Sequence, residues 1–392
     1  MPVVPKYPEF IPYGRQHIDD EDIAAVVDTL KSDFLTQGPK VPEFESQLCH
    51  LTGAQFACAT NSATSALHLA CLALNVGTDD IVWTSPISFV ASSNCALYCN
   101  ATIDFVDVDT NTGLMSMNAL TKKLADAEKT NTLPKVVIPV HLCGHSCDMK
   151  AIATLAKQYS FRIIEDASHA VGSFYQGKPV GGCQYSDISI FSFHPVKIIT
   201  SAEGGIALTN EQSLADKMSK LRSHGITNVA SEMTEPSHGP WYYQQQMLGF
   251  NYRMTELQAA LGVSQLRKLK PLVSTRNAKA VIYDEAFANT DLTILKPADN
   301  SQSSYHLYVV LLPQRLVNEH RNIIEKMREA NICAHLHYIP IHIQPFYQTL
   351  GFNEQDFPNA MDYYHRAISI PLYPDLDSNA QQFIIDTIKE ML

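Results

Sequence analysis

A lysine, a histidine and a serine stand close together in F-S-F-H-P-V-K, Phe191 to Lys197, at the end of what reads as a buried apolar strand. Lysine is seldom buried unless it is paired or reacts, and its amine can form a Schiff base with an aldehyde. Upstream, Asp166 ends the apolar run F-R-I-I-E-D. Ligands of open α/β sheets sit beyond the carboxyl ends of the strands. A carboxylate there can pair with a pyridine nitrogen and keep it protonated, which makes the ring an electron sink; it can equally cap a helix starting at Ala167. Earlier still, N-S-A-T-S-A-L, Asn61 to Leu67, opens a helix. Free amides and the helix dipole make such a turn a phosphate site, and Ser62 also suits a plain N-cap. The adjacent glycines of T-S-A-E-G-G, Thr200 to Gly205, let a turn pass close to a ligand. Taken in order, the chain offers an anion cup, an acid at a strand end, and a lysine after a later strand.

The elements that must position these groups alternate in type. Ile18 to Leu30 carries early acids and helical apolar spacing, and Val41 to Leu51 reads the same way, with Gly53 where a helix would stop. A-C-A-T precedes a helix from about Ser62 to Leu74. The runs D-I-V-W-T-S, T-I-D-F-V-D-V, K-V-V-I-P-V, Phe161 to Asp166 and Asp187 to Phe193 are short and β-rich. Separated by helical stretches, they predict βα units around a largely parallel sheet covered on both faces. Past Leu266 the texture changes. A long helical segment runs through Lys270, strands are expected at His306 to Leu312 and Ile332 to Tyr338, and a helix from Asn318 to Ala330 lies between them. A last helix begins near Asn379. The change of texture marks a boundary near residue 265.

Composition narrows the function classes. At 392 residues the chain exceeds one small core, so a large and a smaller domain are expected. Hydrophobic residues at 45% and charged residues at 18% are ordinary for a globular protein. A net charge of −11 disfavours nonspecific nucleic-acid or membrane binding, so an anionic ligand needs a local site. The opening M-P-V-V-P-K-Y-P-E-F does not read as a signal peptide, and no apolar run reaches the roughly 20 residues that span a bilayer. Nine cysteines without framework spacing suit reduced thiols and a cytoplasmic location.

The chain resembles the fold-type I pyridoxal-phosphate (PLP) enzymes, and within them the sugar aminotransferases of the DegT/DnrJ/EryC1/StrS family. The resemblance runs over nearly the whole chain. It is carried by F-L-T-Q-G-P (34–39), N-S-A-T-S-A-L (61–67), S-P-I-S-F-V-A (85–91), E-D-A-S-H-A-V-G (165–172), F-S-F-H-P-V-K (191–197), E-G-G (203–205), R-S-H-G (222–225) and G-F-N-Y-R-M-T-E-L-Q-A-A-L-G (249–262). It implies an aspartate-aminotransferase-like α/β fold, with a mostly parallel sheet in a PLP-binding domain of residues 1–265, N-terminal arm included, and a smaller α+β domain of residues 266–392. It also implies PLP on Lys197, passing through pyridoxamine phosphate (PMP) in turnover, with Asp166 on the pyridine nitrogen, Phe89 stacked on the ring and His169 near its 3-hydroxyl. Ser62, Ala63, Thr64 and Ser192 would hold the phosphate, and Asn251 would reach it from the neighbouring subunit of a homodimer. The substrates implied are L-glutamate, leaving as 2-oxoglutarate, and a nucleotide-linked keto sugar, with His194, Arg222, His337 and Tyr338 as candidate sugar contacts. The nearest subgroup resembled aminates C4 of a UDP-linked 4-keto-6-deoxy-N-acetylhexosamine in pseudaminic acid biosynthesis. Perosamine- or bacillosamine-type sugars are the alternatives.

Other signals weigh less. His141, Cys143, His145 and Cys147 alternate, but zinc ligands are usually spaced more widely, and the Gly144 turn would break their common face; no metal is expected. His335, His337 and His342 suit contact with a metal, a diphosphate or solvent. Arg222 and Arg253 suit anions or structural salt bridges. No G-x-G-x-x-G follows an early strand, so a dinucleotide is not implied. Dehydratase relatives carry histidine at the lysine position, and a non-catalytic PLP-binding regulator would have no need of the whole set.

Overall fold

The computed structural model of the protein describes residues 5–392. Its centre is a seven-stranded sheet built from β1 (Phe56–Thr60), β2 (Ile81–Thr84), β3 (Thr102–Phe105), β4 (Val136–Ile138), β5 (Arg162–Asp166), β6 (Ile188–Ser192) and β7 (Gly205–Thr209). The spatial order is β1-β7-β6-β5-β4-β2-β3. Every neighbouring pair is parallel except those made by β7, which runs antiparallel to both β1 and β6. The central strands are apolar on both faces because both faces are covered; all of β4 and β6 is buried. One consequence of the register matters for chemistry. Gly205 pairs with Thr60 on one side and Ser192 on the other, so the carboxyl ends of β1 and β6 meet the start of β7 at one edge.

The covering helices are α1 (Asp20–Leu30), α2 (Lys40–Thr52), α3 (Ala63–Ala73), α4 (Ala91–Tyr98), α5 (Met117–Thr130), α6 (Met149–Tyr159), α7 (Gln212–Arg222) and α8 (Glu256–Arg267). Local chemistry sets their ends. Asp19 and Asp22 form a capping box at the start of α1, and Thr255 and Gln258 form one at α8. Gly53 ends α2 at φ 80°, in the left-handed region that glycine enters without strain. Pro39 offers no side chain to cap α2, and the buried Glu256 carboxylate does so instead, accepting from the amides of Lys40 at 2.6 Å and Val41 at 3.3 Å. Lys268 ties α1 down through Asp19 and Asp22, each at 2.6 Å.

Beyond Lys268, α9 (Leu269–Phe287), α10 (His320–Glu329), α11 (Pro358–Arg366) and α12 (Ser378–Met391) accompany a three-stranded antiparallel sheet of β8 (Thr293–Ile294), β9 (Tyr308–Leu311) and β10 (Ala367–Ile370). Tyr283, Phe287, Met327, Ile332, Ile368 and Ile384 share its core. The expected strand at His306 to Leu312 is present as β9. The one expected at Ile332 to Tyr338 is absent: Ile332 and His335 make only isolated bridges, to Ile11 and Ser369. β10 takes the place beside β9, pairing with it from Tyr308↔Ile370 to Leu311↔Ala367. Its I-S-I run is buried throughout, whereas the 332–338 stretch must leave His335 partly open to a cleft.

Candidate active site

A cleft of about 900 Å³ opens beyond the carboxyl ends of β1, β5 and β6. Its floor comes from the large sheet. Ser62 caps α3, its side chain accepting from the Ser65 amide. The first helical amides, those of Ala63 and Thr64, have no intrahelical acceptor and line the cleft. Ser192 ends β6 beside them. A Cβ at Gly205 would stand 2.4 Å from the Ala63 nitrogen, so only glycine lets β7 pass this close to the cup.

Asp166 ends β5, and the structure gives no helix at Ala167 for it to cap. One carboxylate oxygen accepts from the Ser168 amide at 3.1 Å and the Ser168 hydroxyl at 2.5 Å. The other accepts from the Ser92 hydroxyl on α4 at 2.5 Å, and Ser92 in turn meets Ser88 at 2.6 Å. Three donors thus set the orientation of the carboxylate before any ligand enters. Lys197 follows β6, its side chain reaching the same cleft. Burial lowers its amine to about 8, although the nearby Asp166 charge acts to raise it. A lysine at that level is in large part neutral near pH 8, and so can act as nucleophile or base.

The opposite wall is built of rings. The His169 Nδ1 accepts from the Cys143 amide at 3.3 Å, so the ring hydrogen belongs on Nε2, which lies 2.9 Å from the Tyr338 hydroxyl. Burial first, and then the charge of Lys197, push His169 well below its ordinary pKa, which leaves it neutral. His337 pairs through Nδ1 with the Ser369 hydroxyl at 2.9 Å and is lowered by burial to about 3. Tyr13, His335 and His337 pack against one another as tilted rings, with centroids 4.7 to 5.3 Å apart. Phe89 is 60% exposed at the rim, 6.4 Å from the Tyr338 ring, with a face free for a planar ligand. His194 and Glu203 complete the lining.

The structure therefore brings together Ser62, Ala63, Thr64, Phe89, Asp166, His169, Ser192, His194, Lys197, His337 and Tyr338. Two expected residues lie elsewhere. Arg222 donates to Glu45 at 2.6 Å and to the Ala59 carbonyl at 2.7 Å, pinning β1; the salt bridge is the one of its two readings that it makes. Asn251 is exposed, its backbone bridged to Ser223. His342 is buried against Phe357, 4.9 Å away, and is not beside His335 and His337. The alternating His/Cys set is used locally: His141 holds Glu165 at 2.8 Å and accepts from the Cys147 amide. Among the described residues no group of three or more His, Cys, Asp or Glu could hold a metal ion. Sequence reasoning missed Ser92, Ser168, Tyr13 and His306. Only Ser168 left a trace, because an acid followed two residues later by serine is an Asx-turn pattern.

An anion cup with a tight glycine, a fixed carboxylate and a partly neutral lysine are the donor set that PLP requires. Residues 16–389 match the DegT/DnrJ/EryC1/StrS aminotransferase family. The chain belongs to that family. It is similar to the Campylobacter jejuni UDP-4-amino-4,6-dideoxy-N-acetyl-beta-L-altrosamine transaminase, 38% identical with 97% of each chain covered. It is also similar to the spore coat polysaccharide biosynthesis protein SpsC of Bacillus subtilis, 37% identical over 100% of this chain and 99% of that one. Among solved structures, Helicobacter pylori PseC, described as an aminotransferase in pseudoaminic acid biosynthesis, superposes with TM-score 0.89 at 34% identity, covering 97% of this chain and 99% of that one. Streptococcus pneumoniae Spr1654, solved in PLP and PMP forms, superposes with TM-score 0.88 at 30% identity, covering 97% of this chain and 98% of that one. The protein is thus a PLP-dependent sugar aminotransferase of mostly parallel α/β fold. Among the described residues no helix is long and apolar enough to cross a membrane.

Proposed function

We propose that the protein moves an amino group from L-glutamate to C4 of a UDP-linked 4-keto-6-deoxy-N-acetylhexosamine, with Lys197 as the cofactor lysine. The observation that carries this reading is the convergence of the Lys197 amine, the triply bonded Asp166 carboxylate and the α3 amides in one cleft. When bound, PLP supplies an electron sink for the negative charge that develops at the amino-bearing carbon. The chain's own residues do the rest. Ala63 and Thr64 amides and the Ser62 and Ser192 hydroxyls bind the phosphate at the positive end of α3. Asp166 would pair with the ring nitrogen and favour its protonated form, and Ser92 and Ser168 keep that carboxylate aimed. His169, neutral with its hydrogen on Nε2, would donate toward the cofactor's hydroxyl, and Phe89 would cover the ring. Lys197 would take a proton from the donor carbon and give it back, and with an amine near 8 it can do both at neutral pH.

His194, His337 and Tyr338 are the proposed sugar contacts. Asn251, exposed on a single chain, would complete the cup from the partner in a homodimer. The proposed division assigns residues 1–265 to cofactor binding and 266–392 to closing the cleft over the sugar. Similarity to the Campylobacter transaminase and to PseC supports the pseudaminic-type substrate. The equal similarity to SpsC supports a second reading, amination of another nucleotide-linked keto sugar. Absorbance spectroscopy separates them. The visible cofactor band should bleach with L-glutamate and return with the UDP-linked 4-keto-6-deoxy-N-acetyl sugar. Return only with a different sugar favours the second reading, and a band indifferent to every amino donor removes both.

A further inference from the structure

His306 has no part in the scheme above, yet its ring lies within hydrogen-bond reach of the reacting amine. Its Nε2 lies 3.5 Å from Lys197 Nζ, a long contact of the kind that tightens when a site fills. The ring is 4% exposed, packs 4.3 Å from His169, and among the described residues its Nδ1 has no hydrogen-bond partner. A buried unpaired polar atom costs on the order of 1–3 kcal/mol, and a phenylalanine would fill the same space without that cost.

The backbone around His306 is held from two sides. Its amide donates to the Cys143 carbonyl at 2.9 Å, while the Cys143 amide donates to His169, so one turn registers both histidines against each other. Behind it, the buried Arg276 guanidinium donates to the carbonyls of Tyr305, His306 and Leu372 at 3.3, 3.4 and 2.8 Å. Burial and the charges of Lys197 and Arg276, together with His169 and His337, hold the His306 ring well below its ordinary pKa. It therefore faces Lys197 as a neutral imidazole, and with the ammonium as donor, Nε2 is the acceptor.

We propose that His306 is a positioning residue for Lys197: its Nε2 accepts a hydrogen bond from the lysine amine and holds it in the cleft while that amine is free during turnover. The proposal rests on the reading of Lys197 as the cofactor lysine. Other groups act on the same amine: Asp166 favours its charged form, and the titratable His169, His194, His337, Tyr338 and Glu203 share the cleft. They are common to every variant compared below, so the comparison isolates His306.

The test uses the cofactor-free protein. Its Lys197 is modified with trinitrobenzenesulfonate across a pH series and followed by peptide mass spectrometry, in the wild type and in His306→Gln, His306→Asn and His306→Phe. Glutamine offers an acceptor where Nε2 stood; asparagine and phenylalanine do not. The expected result is a wild-type-like midpoint for Gln, and midpoints lower by about one pH unit for Asn and Phe, because the charged amine has lost an acceptor. In the holoenzyme kcat should fall for Asn and Phe at unchanged sugar KM, and recover for Gln. The Gln/Asn pair stands if Phe fails to fold. Equal midpoints and equal kcat in Gln and Asn overturn the proposal. Borohydride reduction of the holoenzyme separately reports the lysine that carries the cofactor: a label on the Lys197 peptide leaves a negative result against His306 alone, and a label elsewhere removes the underlying reading as well.

Discussion

The floor of the cleft and its facing wall are made in different ways. The floor stands on regular structure: a helix start and three strand ends, with the Asp166 carboxylate bonded by three donors and Gly205 packed against the Ala63 amide. The wall stands on irregular chain between β9 and β10, where His335, His337 and Tyr338 are held by tertiary contacts and His335 stays exposed. A surface that must present one unchanging cofactor can be fully satisfied within the protein. On the proposed reading the wall receives a sugar, and it keeps polar atoms open because buried groups gain discrimination when the ligand completes their bonds. The floor should then govern whether any amino group moves, and the wall which sugar receives it.

The largest test is Lys197→Ala. Proton transfer by a positioned group is worth roughly 10²–10⁴-fold, so steady-state turnover should fall by at least that much with every sugar, while equilibrium dialysis still detects cofactor binding. Retained turnover would break the comparison at its centre. Asp166→Asn keeps shape but removes charge. A loss on the order of 10²–10³ in kcat is expected, and the loss should be equal for all sugars tried. pH sharpens the floor further. Because burial lowers Lys197 to about 8, reconstitution of the cofactor-free protein with PLP should accelerate as pH rises through 8, falling about tenfold per unit below it. The same lowered value means that between about 8 and the ordinary lysine range the unfolded chain binds the proton and the folded chain does not. This group's contribution to stability therefore rises with pH there, as chemical denaturation at pH 8 and 10 would register.

On the wall, Tyr338→Phe removes the hydroxyl that meets His169. One hydrogen bond is worth about 1 kcal/mol, so kcat/KM should change severalfold and differ between sugars, with cofactor affinity untouched. A uniform loss across sugars would instead assign Tyr338 to the floor. The smallest catalytic effect belongs to Arg222→Ala. With its guanidinium on Glu45 and the Ala59 carbonyl, it should lower thermal stability, by about 1–3 kcal/mol, and leave the sugar KM unchanged.

The division between floor and wall is also a division in what could be read before folding. Asp166, Lys197 and the Asn61–Leu67 segment declare themselves because strand ends and helix starts have local sequence signals: apolar runs that stop, small polar residues that cap, glycines that turn. The central sheet was legible for the same reason, although β7, the strand that runs the other way, was not picked out. Its G-I-A-L-T looks like any buried strand, and its direction depends on its partners. The false strand at 332–338 and the unseen β10 show the converse error: similar apolar content, with pairing to β9 decided by which segment could be buried on both sides. Arg222 left two readings open because a guanidinium suits a diphosphate and a carboxylate alike, and its salt bridge to Glu45 shows only in the fold.

The sequence by itself determined the chemistry of the floor, since each of its groups sits at a place where local rules force an element to end. Only the tertiary structure decided what those groups face. Ser92 reaches Asp166 from another helix, and His306 reaches Lys197 from beyond the large sheet. Such contacts depend on how separate elements pack, which no local pattern of residues encodes.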